Sequence, residues 1–554
     1  MSGIVDYNKV SVLIVGGGSA GLAAAIQLKL KKHDLDVCVI EKGGSLGSHN
    51  LSGAVLETQS LFTLLNAASP GWQNTDQAKE IFANKIDRNE ILFFPGRKTS
   101  LNISPLIGLA KIFRLNFGQM IHKDDYSVSI SKLTAFLGKI AVSLGVEILT
   151  GFAANDIILD DAGQTVGVKL VDQGLDKQGN RQPNFLAGEI IHTGFVILAE
   201  GCDGLVTEKF IEKAGLHRQR PQLFSLGVKE LIKVNSDQYK RFTAGRAIHA
   251  MGYPLWTPVV GPAMFGGGTI FAADNDHLTI GMIVGLDFKY RDFNPQDALA
   301  LFKQHSFVKQ FIEGGTVVEA GAKMIPEGGL CSIPRDAGGY IGKANCIIAG
   351  DSAGFVNMLK VKGLHNAIDS GIQAAKAIHE SLSYPRQTAA RYTTLINCSN
   401  IAKEMESARN FRQTVARLGP LFGMPLSVLG GLLPKFKIEE DYKALRAAAY
   451  RLKPAASFDK NAFTALASTS HREDQPSHLT IINRNTCSQK CTPEFNSPCI
   501  TFCPAGVYDT VAGQVKPANP SNCLHCKTCQ RKCPFDNIRW TAPEGTGGPK
   551  YKRL

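Results

Sequence analysis

No uncharged apolar run in this sequence reaches the roughly 18 residues that a membrane-spanning helix needs. A helix crossing a bilayer is therefore not expected. The first residues, Met1 to Lys9, hold neither an apolar signal core nor the Arg- and Ser-rich character of a transit peptide. With a strand following at once, the chain is expected to be cytosolic or to face the cytosol. Low-complexity stretches and short-period repeats are missing too, which argues against a solenoid or a long disordered tail. Acidic residues are the scarcer charge, 48 against 61 basic, leaving a formal net charge of +13. Such a balance suits an anionic membrane, an acidic protein or nucleic acid. The basic residues are scattered, without aromatic interleaving or a nucleic-acid motif, so nucleic acid is not expected as a partner.

What is present begins with a βαβ unit in a chain of 554 residues, long enough for two to four domains. Val10 to Val15 reads as a short apolar strand. Gly16-Gly17-Gly18-Ser19-Ala20-Gly21 follows it directly, and Leu22 to Leu30 reads as an apolar helix. A second strand, Val37 to Ile40, ends at Glu41, 20 residues after the last glycine. In this G-x-G-x-x-G pattern Gly16 makes the turn, Gly18 lets backbone approach a pyrophosphate, and Gly21 lets helix pack on strand. The helix N-terminus faces the phosphates, and Glu41 can accept from a ribose hydroxyl. Dinucleotide binding follows.

Two later strands carry the reading further. Phe195 to Leu198 runs into Ala199-Glu200-Gly201-Cys202-Asp203-Gly204. Cys346 to Ile348 runs into Ala349-Gly350-Asp351-Ser352-Ala353-Gly354, with a helix expected over 364–379. These segments resemble the later FAD-binding motifs of glutathione-reductase-like flavoproteins. The resemblance implies FAD, with Asp351 holding ribityl or ribose hydroxyls. Gly350-Asp351 alone would also suit a plain strand-to-helix turn. Residues 215–330 alternate in β fashion, as in Leu278 to Val284, and read as a second domain inserted between the FAD segments. Residues 383–476 read as helical and polar. After about Ser477 the composition turns Cys- and Pro-rich, which marks a domain boundary.

Of 13 cysteines, eight lie between Cys487 and Cys533. Without a secretion signal, such a cluster points to metal or redox chemistry rather than disulfides. Cys523-x-x-Cys526-x-x-Cys529-x-x-x-Cys533-Pro534 is the run of bacterial ferredoxins, whose first three thiolates hold one cubane and whose fourth reaches another. Cys503-Pro504, the only other Cys-Pro of the tail, supplies the remote ligand. One 4Fe–4S cluster is therefore expected on Cys503, Cys523, Cys526 and Cys529. A structural zinc is the alternative, but zinc sites usually pair one C-x₂-C with a distant second pair. Cys487, Cys491, Cys499 and Cys533 remain. Cys491-x₇-Cys499-x₃-Cys503-Pro resembles the first half of seven-iron ferredoxins. That implies a second cluster on Cys491, Cys499 and Cys533, with Cys487 an open fourth; idle buried thiols would leave the same pattern. Cys38 and Cys346, in apolar strands, read as core.

Leu418 to Pro434 is 17 uncharged residues broken by Pro420, Pro425 and Pro434 and flanked by Arg417 and Lys435. It is too short and too broken to span a bilayer. Ser100 to Phe117 is a second apolar segment, carrying Lys111 and Arg114. Both suit a surface that dips into one leaflet with cations at the headgroups, and both would also suit core hairpins. A quinone with an isoprenoid tail needs an entry route from lipid. Lys527, Arg531, Lys532 and Arg539, near the thiols, are expected to form a docking patch for an acidic donor, with an ordinary solvated face as the alternative.

Together these residues are similar to the electron-transfer flavoprotein–ubiquinone oxidoreductases over essentially the whole chain. The likeness is densest at Gly16–Gly21, Ser48-His49-Asn50-Leu51-Ser52-Gly53, Ala199–Gly204 and Phe265-Gly266-Gly267. It continues through Glu327-Gly328-Gly329, Ser332-Ile333-Pro334, His471 to Leu479, Cys503-Pro504-Ala505-Gly506-Val507-Tyr508 and Pro543-Glu544-Gly545. The resemblance implies an α/β plus α+β fold. A glutathione-reductase-like FAD-binding Rossmann domain would occupy 1–214 and 331–476, the second part carrying the helical, membrane-facing segment. A β-rich quinone-binding domain (215–330) would be inserted, and a ferredoxin-like 4Fe–4S domain (477–554) would follow. It further implies that Gly266 and Gly267 bond a quinone carbonyl through their backbone. Electrons would pass from reduced electron-transfer flavoprotein through the cluster and FAD to ubiquinone, on a peripheral protein at the cytoplasmic face of a bacterial inner membrane. Another flavin reductase or monooxygenase of the same fold, or a relay subunit of a soluble electron-bifurcating complex, are the alternatives. The sequence departs from better-known members at Cys533, where they carry Asp, in its extra upstream cysteines, and in having the acid Asp351.

Overall fold

The computed structural model describes residues 9–52, 54–113, 115–258, 262–274, 276–427, 437–456 and 458–554. Residues 1–8, Gly53, Arg114 and 428–436, which carry parts of the targeting, motif and membrane-face expectations, lie outside the described residues.

Strand Lys9–Val15 pairs in parallel with Val37–Glu41 on one side and Ile190–Leu198 on the other. Cys346–Ile348 extends the sheet beyond Ile190–Leu198, and Glu147–Thr150 extends it beyond Val37–Glu41. The central strands are near-continuous Val, Ile and Leu runs, as strands covered on both faces must be. Register sets Val15 opposite Ile40 and Leu198, and Leu198 opposite Ile348. The turns that begin at Gly16, Glu41, Ala199 and Ala349 therefore crowd one edge. Ligands of such sheets bind outside the carboxyl ends of the strands. Helix Ser19–Lys31 rises from the first turn with Ala23, Ala24 and Ala25 buried, and packs closely on helix Leu364–Glu380.

The second sheet runs in the order Thr316–Pro326, Phe224–Lys233, His277–Gly285, Gly266–Asp274, Arg246–Gly252, Arg88–Phe94, Leu101–Asn102. Neighbours are antiparallel except Arg246–Gly252 beside Arg88–Phe94. The last two strands in this order come from before residue 215. Leu226, Val228, Ile280 and Val284 belong to its buried core, under helix Pro295–Lys303.

Of the 383–476 stretch, Thr388–Cys398, Asn400–Ser407 and Phe411–Ser427 are helices, the last kinked at Gly419 just before Pro420. Residues 437–456 are not helical, apart from the 3₁₀ turn Asp441–Ala444. Their backbone bonds outward instead: Arg446 donates to the Lys289 carbonyl, and the Ala448 carbonyl accepts from Arg291. A neighbouring loop satisfies groups that a helix would have paired internally.

The tail holds two antiparallel ribbons, Leu479–Ile481 with Ile538–Trp540 and Tyr508–Val511 with Gln514–Pro517. Short helices Pro498–Phe502 and Thr528–Lys532 lie among them. Its apolar side chains join the core of the second sheet, Phe502 packing edge-on to Phe288. Among the described residues no helix is long and apolar enough to cross a membrane.

Candidate functional site

The carboxyl edge of the first sheet opens into a cleft of about 1630 Å³ that reaches the second sheet. Gly16, Gly18, Glu41 and Asp351 line it, while Gly21 lies one step behind. The three glycines differ in what surrounds them. Gly16 has φ +109°, and a Cβ there would lie 2.3 Å from the Ala199 carbonyl oxygen. A Cβ on Gly21 would lie 2.1 Å from the Gly16 carbonyl oxygen, so only glycine lets this helix seat on its turn. A Cβ on Gly18 would meet nothing within 4 Å. Beside it the Ser19 hydroxyl is buried without a partner. An open glycine, an orphaned hydroxyl and a helix N-terminus fit the pyrophosphate of FAD.

Glu41 accepts from the N–H groups of Gly17 at 3.0 Å and Gly43 at 2.7 Å, which fixes its carboxylate on the cleft wall. Burial raises Asp351 to about 6, against the pull of Lys323. Four lysines that no sequence motif marks also line the cleft: Lys42, Lys229, Lys323 and Lys362. Burial lowers Lys42 and Lys229 to about 7 each, and for Lys42 the nearby Lys527 and Lys323 push the same way. A cleft with this many desolvated cations favours an anionic occupant.

Cys503, Cys523, Cys526 and Cys529 are all buried. Burial raises the last three thiols, and after burial a neighbouring thiol of the same four is the next influence on each. Trp540, Thr528 and Tyr508 lie beside Cys523, Cys526 and Cys529 respectively, each with a buried polar atom that has no hydrogen-bond partner. A zinc ion with bonds of about 2.3 Å would draw its thiolates to about 3.8 Å apart. Among the described residues no three thiol sulfurs lie within 4.8 Å of one another. Four buried thiols, three of them at x₂ spacing, suit the ligand chemistry of a four-iron cluster.

The thiols and the cleft are fastened together. Asp203, from the second FAD-type motif, accepts from Arg531 Nε at 3.0 Å and Gln530 Nε2 at 3.2 Å, and its carbonyl accepts from Lys527. Burial would raise the Asp203 carboxyl, but Arg531 and Lys527 hold it below its usual range. Lys532 Nζ donates to the carbonyls of Phe288 at 2.7 Å and Asp441 at 3.1 Å. The expected docking patch is thus corrected. Lys527, Arg531 and Lys532 point inward and join the tail to both sheets, and of the four cations only Arg539 is exposed, paired with Asp536. Across the same junction the rings of His49 and His525 sit 5.3 Å apart, and His525 meets His471 at 2.8 Å.

A second cleft, of about 780 Å³, adjoins the first; His249, Thr269, Ile283, Met358 and Val361 line both. Gly266 and Gly267 form part of its wall. Gly266 has φ +141°, and a Cβ there would lie 2.0 Å from the Ile283 carbonyl oxygen; one on Gly267 would lie 2.5 Å from that of Ala250. Met120, Trp256, Phe265, Phe411 and Met424 make the rest largely apolar, as a ring with a hydrocarbon tail requires. Two apolar segments meet beside it. Ile107 of one shares a buried cluster with Met424 of the other, together with Met120, Phe411 and Val415 from the flanking chain. Each leaves large apolar side chains outside: Leu106 (65% exposed), Leu109, Ile112 (76%) and Phe113 on the first, Leu421 and Phe422 (66%) on the second.

Comparison with known proteins bears on the whole chain. Residues 455–552 match the family profile described as electron transfer flavoprotein-ubiquinone oxidoreductase, 4Fe-4S. Residues 224–325 match ETF-QO, ubiquinone-binding, and residues 14–83 an NAD(P)-binding Rossmann-like domain. An electron transfer flavoprotein-ubiquinone oxidoreductase of Pseudomonas aeruginosa is 32% identical, covering 99% of this chain and 100% of its own. The mitochondrial protein of that name from Arabidopsis thaliana is 34% identical over 99% of this chain and 85% of its own. Among solved structures, a geranylgeranyl bacteriochlorophyll reductase-like protein of Thermoplasma acidophilum matches with TM-score 0.54 at 18% identity, over 78% of this chain and 94% of that one. A flavin-dependent brominase matches with TM-score 0.50 at 17% identity, over 76% and 94%. These two likenesses show the fold.

Proposed function

The chain belongs to the electron transfer flavoprotein–ubiquinone oxidoreductase family, and we propose that its two clefts and its thiol-rich tail are the stations of that reaction. It is an oxidoreductase that carries electrons from reduced electron-transfer flavoprotein through a 4Fe–4S cluster and FAD to ubiquinone. FAD takes the larger cleft, held by Gly16, Gly18, Gly21, Glu41 and Asp351. The cluster is bound by Cys503, Cys523, Cys526 and Cys529. The quinone headgroup takes the smaller cleft, with the backbone of Gly266 and Gly267 against a carbonyl oxygen. The proposed functional division is 1–214, 215–330, 331–476 and 477–554, corrected in that Arg88–Phe94 and Leu101–Asn102 of the first part belong to the sheet of the second.

One observation carries the reading: the tail, the larger cleft and the smaller cleft adjoin in that order, through Asp203 on one side and five shared lining residues on the other. When bound, a flavin handles electron pairs and a cluster single electrons, which joins a one-electron donor to a two-electron acceptor. The chain itself needs no nucleophile. Its lysines favour an anionic occupant, its apolar walls exclude water, and its glycines let backbone approach both ligands. A monooxygenase of this fold would have no use for the thiol-rich tail. Peripheral attachment to the cytoplasmic face of the inner membrane also belongs to this proposal. Leu106, Leu109, Ile112, Phe113 and Phe422 would enter one leaflet, with cations such as Lys111 at the headgroups.

The test uses FAD- and iron-loaded protein with reduced electron-transfer flavoprotein and a short-chain ubiquinone. Turnover is expected. Gly267→Val should lower quinone reduction about tenfold or more while the donor still reduces the bound flavin. Equal quinone turnover in that variant would overturn the assignment of the smaller cleft.

A further inference from the structure

A single cluster leaves Cys487, Cys491, Cys499 and Cys533 without a role. Two observations bring these four together. The first is a motif built twice. Helix Pro498–Phe502 carries Cys499 in its first turn and ends at Cys503; helix Thr528–Lys532 carries Cys529 and ends at Cys533. In each, the closing cysteine donates its N–H to the carbonyl of the cysteine four residues earlier, at 3.2 Å and 3.1 Å. Each closing cysteine turns to extended backbone, with φ/ψ of −64°/119° and −61°/117°, and each precedes a proline. The two helices pack on one another. One copy of this Cys-x₃-Cys-Pro element sends Cys503 across to the thiols of the other copy's run. The same geometry sends Cys533 the opposite way, toward Cys499.

The second observation is Asn537. Its backbone N–H donates to Cys533 Sγ at 3.3 Å, and its side-chain Nδ2 donates to Cys487 Sγ at 3.3 Å. One residue therefore spans two thiols far apart in sequence, with the N–H···S bonds that cluster sulfurs use. Cys487–Cys491 is a single π-helical turn, a rare conformation found mostly at functional sites. After burial, the groups that most influence Cys491 are Cys533 and Cys487, and those for Cys499 are Cys491, Cys533 and Cys487. The eight thiols fall into two sets of four.

We propose that Cys487, Cys491, Cys499 and Cys533 bind a second cluster, a 4Fe–4S cubane on the side of the first cluster away from the flavin cleft. The first set touches the cleft side through Lys527 and His525, whereas Cys487 is the most exposed thiol of either set. One zinc does not suit the second set better than the first, because among the described residues no three of the eight sulfurs lie within 4.8 Å of one another. The two clusters form a one-electron relay. Cys487, Cys491, Cys499 and Cys533 would hold the outer group and Cys503, Cys523, Cys526 and Cys529 the inner one, and each when bound would supply one-electron transfer between the donor flavoprotein and the flavin cleft, with no bond made and no proton moved. The ligand set stands on the thiols alone; only the choice of donor rests on the function proposed above.

Iron, zinc and acid-labile sulfide per FAD, with EPR spectra before and after dithionite, test this on anaerobically purified protein reconstituted with iron and sulfide. About eight irons and mutually broadened signals are expected. A Cys491→Ala/Cys499→Ala variant should fall to about four irons with one unsplit signal and unchanged FAD content. Cys487→Ala should give about seven irons and a three-iron signal in the oxidised state. About four irons in the unaltered protein, with or without zinc, would overturn the second cluster and leave the family function standing. Should the double variant fail to fold, the count and spectra of the unaltered protein still decide. No iron at all in FAD-loaded protein would count against both.

Discussion

A methyl group at Gly16 would clash with the Ala199 carbonyl, while one at Gly18 would project into open cleft. Gly16→Ala, at φ +109°, should therefore destabilise even the FAD-free protein by about 1–3 kcal/mol. Gly18→Ala should leave its melting temperature unchanged and weaken only FAD binding, because the methyl takes the place of approaching phosphate. Thermal melts with and without FAD, beside a flavin titration, separate the two. His122 and His249 give a pH prediction. They lie in tilted contact at 4.9 Å, and burial lowers both, His249 to about 4 and His122 well below its usual value. The unfolded chain binds protons near pH 6.5 that the folded chain refuses. Their contribution to stability is thus full above pH 6.5 and is lost as pH falls toward 4. Urea midpoints should drop between pH 7 and 5, less steeply in His249→Gln; identical slopes would refute this. The need for glycine at position 21 was legible because its cause, the Gly16 carbonyl, is local to one turn, whereas Gly16 also answers to Ala199 just past a distant strand. Lys42, Lys229 and Lys323 were not, since they reach the cleft from strands and loops almost 300 residues apart. The inward turn of Lys527, Arg531 and Lys532 was hidden for the same reason: their partners Asp203, Phe288 and Asp441 lie in other segments.

Helix Phe411–Ser427 is tied to the second sheet by one buried guanidinium. Arg412 Nε donates to Glu327 at 2.7 Å, its terminal nitrogens donate to Asp287 at 2.9 and 3.1 Å, and its plane lies 3.9 Å from the Phe265 ring centroid. Removing one partner of a buried ion pair leaves a charge without compensation. Arg412→Met should cost about 3–5 kcal/mol, and Arg412→Met with Glu327→Gln should recover part of it. Chemical denaturation of the three proteins measures both, and a loss under about 1 kcal/mol would show the network to be structurally idle. Such a tie joins residues 85 apart and leaves no trace in hydrophobic periodicity. The strands and helices of the flavin sheet, by contrast, were readable from continuous apolar runs and a glycine turn. Residues 437–456 were misread as helical because composition cannot reveal that their hydrogen bonds go to the loop at Lys289–Arg291. Strand Arg88–Phe94 joins the second sheet by pairing with Arg246–Gly252, a contact no local pattern encodes.

Across the whole molecule, a formal charge of +13 accompanies two neighbouring apolar segments that share a buried cluster and expose their remaining apolar side chains. The sequence left those segments undecided between core and lipid-facing surface, since both need apolar residues. Burial separates the alternatives: Ile107, Ala110 and Met424 are inside, and Leu106, Leu109, Ile112, Phe113 and Phe422 are outside. Single exposed apolar residues are ordinary, but a group of this size beside an apolar cleft marks an interaction surface. Lipid is the expected partner because a long-tailed quinone reaches the cleft without its tail crossing water. Replacing Leu109, Ile112, Phe113 and Phe422 together by Glu adds four negative charges to the patch and removes its apolar area. The variant should lose co-sedimentation with vesicles containing anionic phospholipid, and its binding should no longer respond to salt. Reduction of a short-chain quinone in solution should stay near that of the unaltered protein, because none of the four side chains lines either cleft. Reduction of a long-chain quinone embedded in vesicles should fall by about tenfold or more, since each apolar side chain kept out of lipid forfeits roughly 1.5–3 kcal/mol. Loss of both activities together would place these residues in the cleft's own support instead, and retention of both would remove lipid from the account.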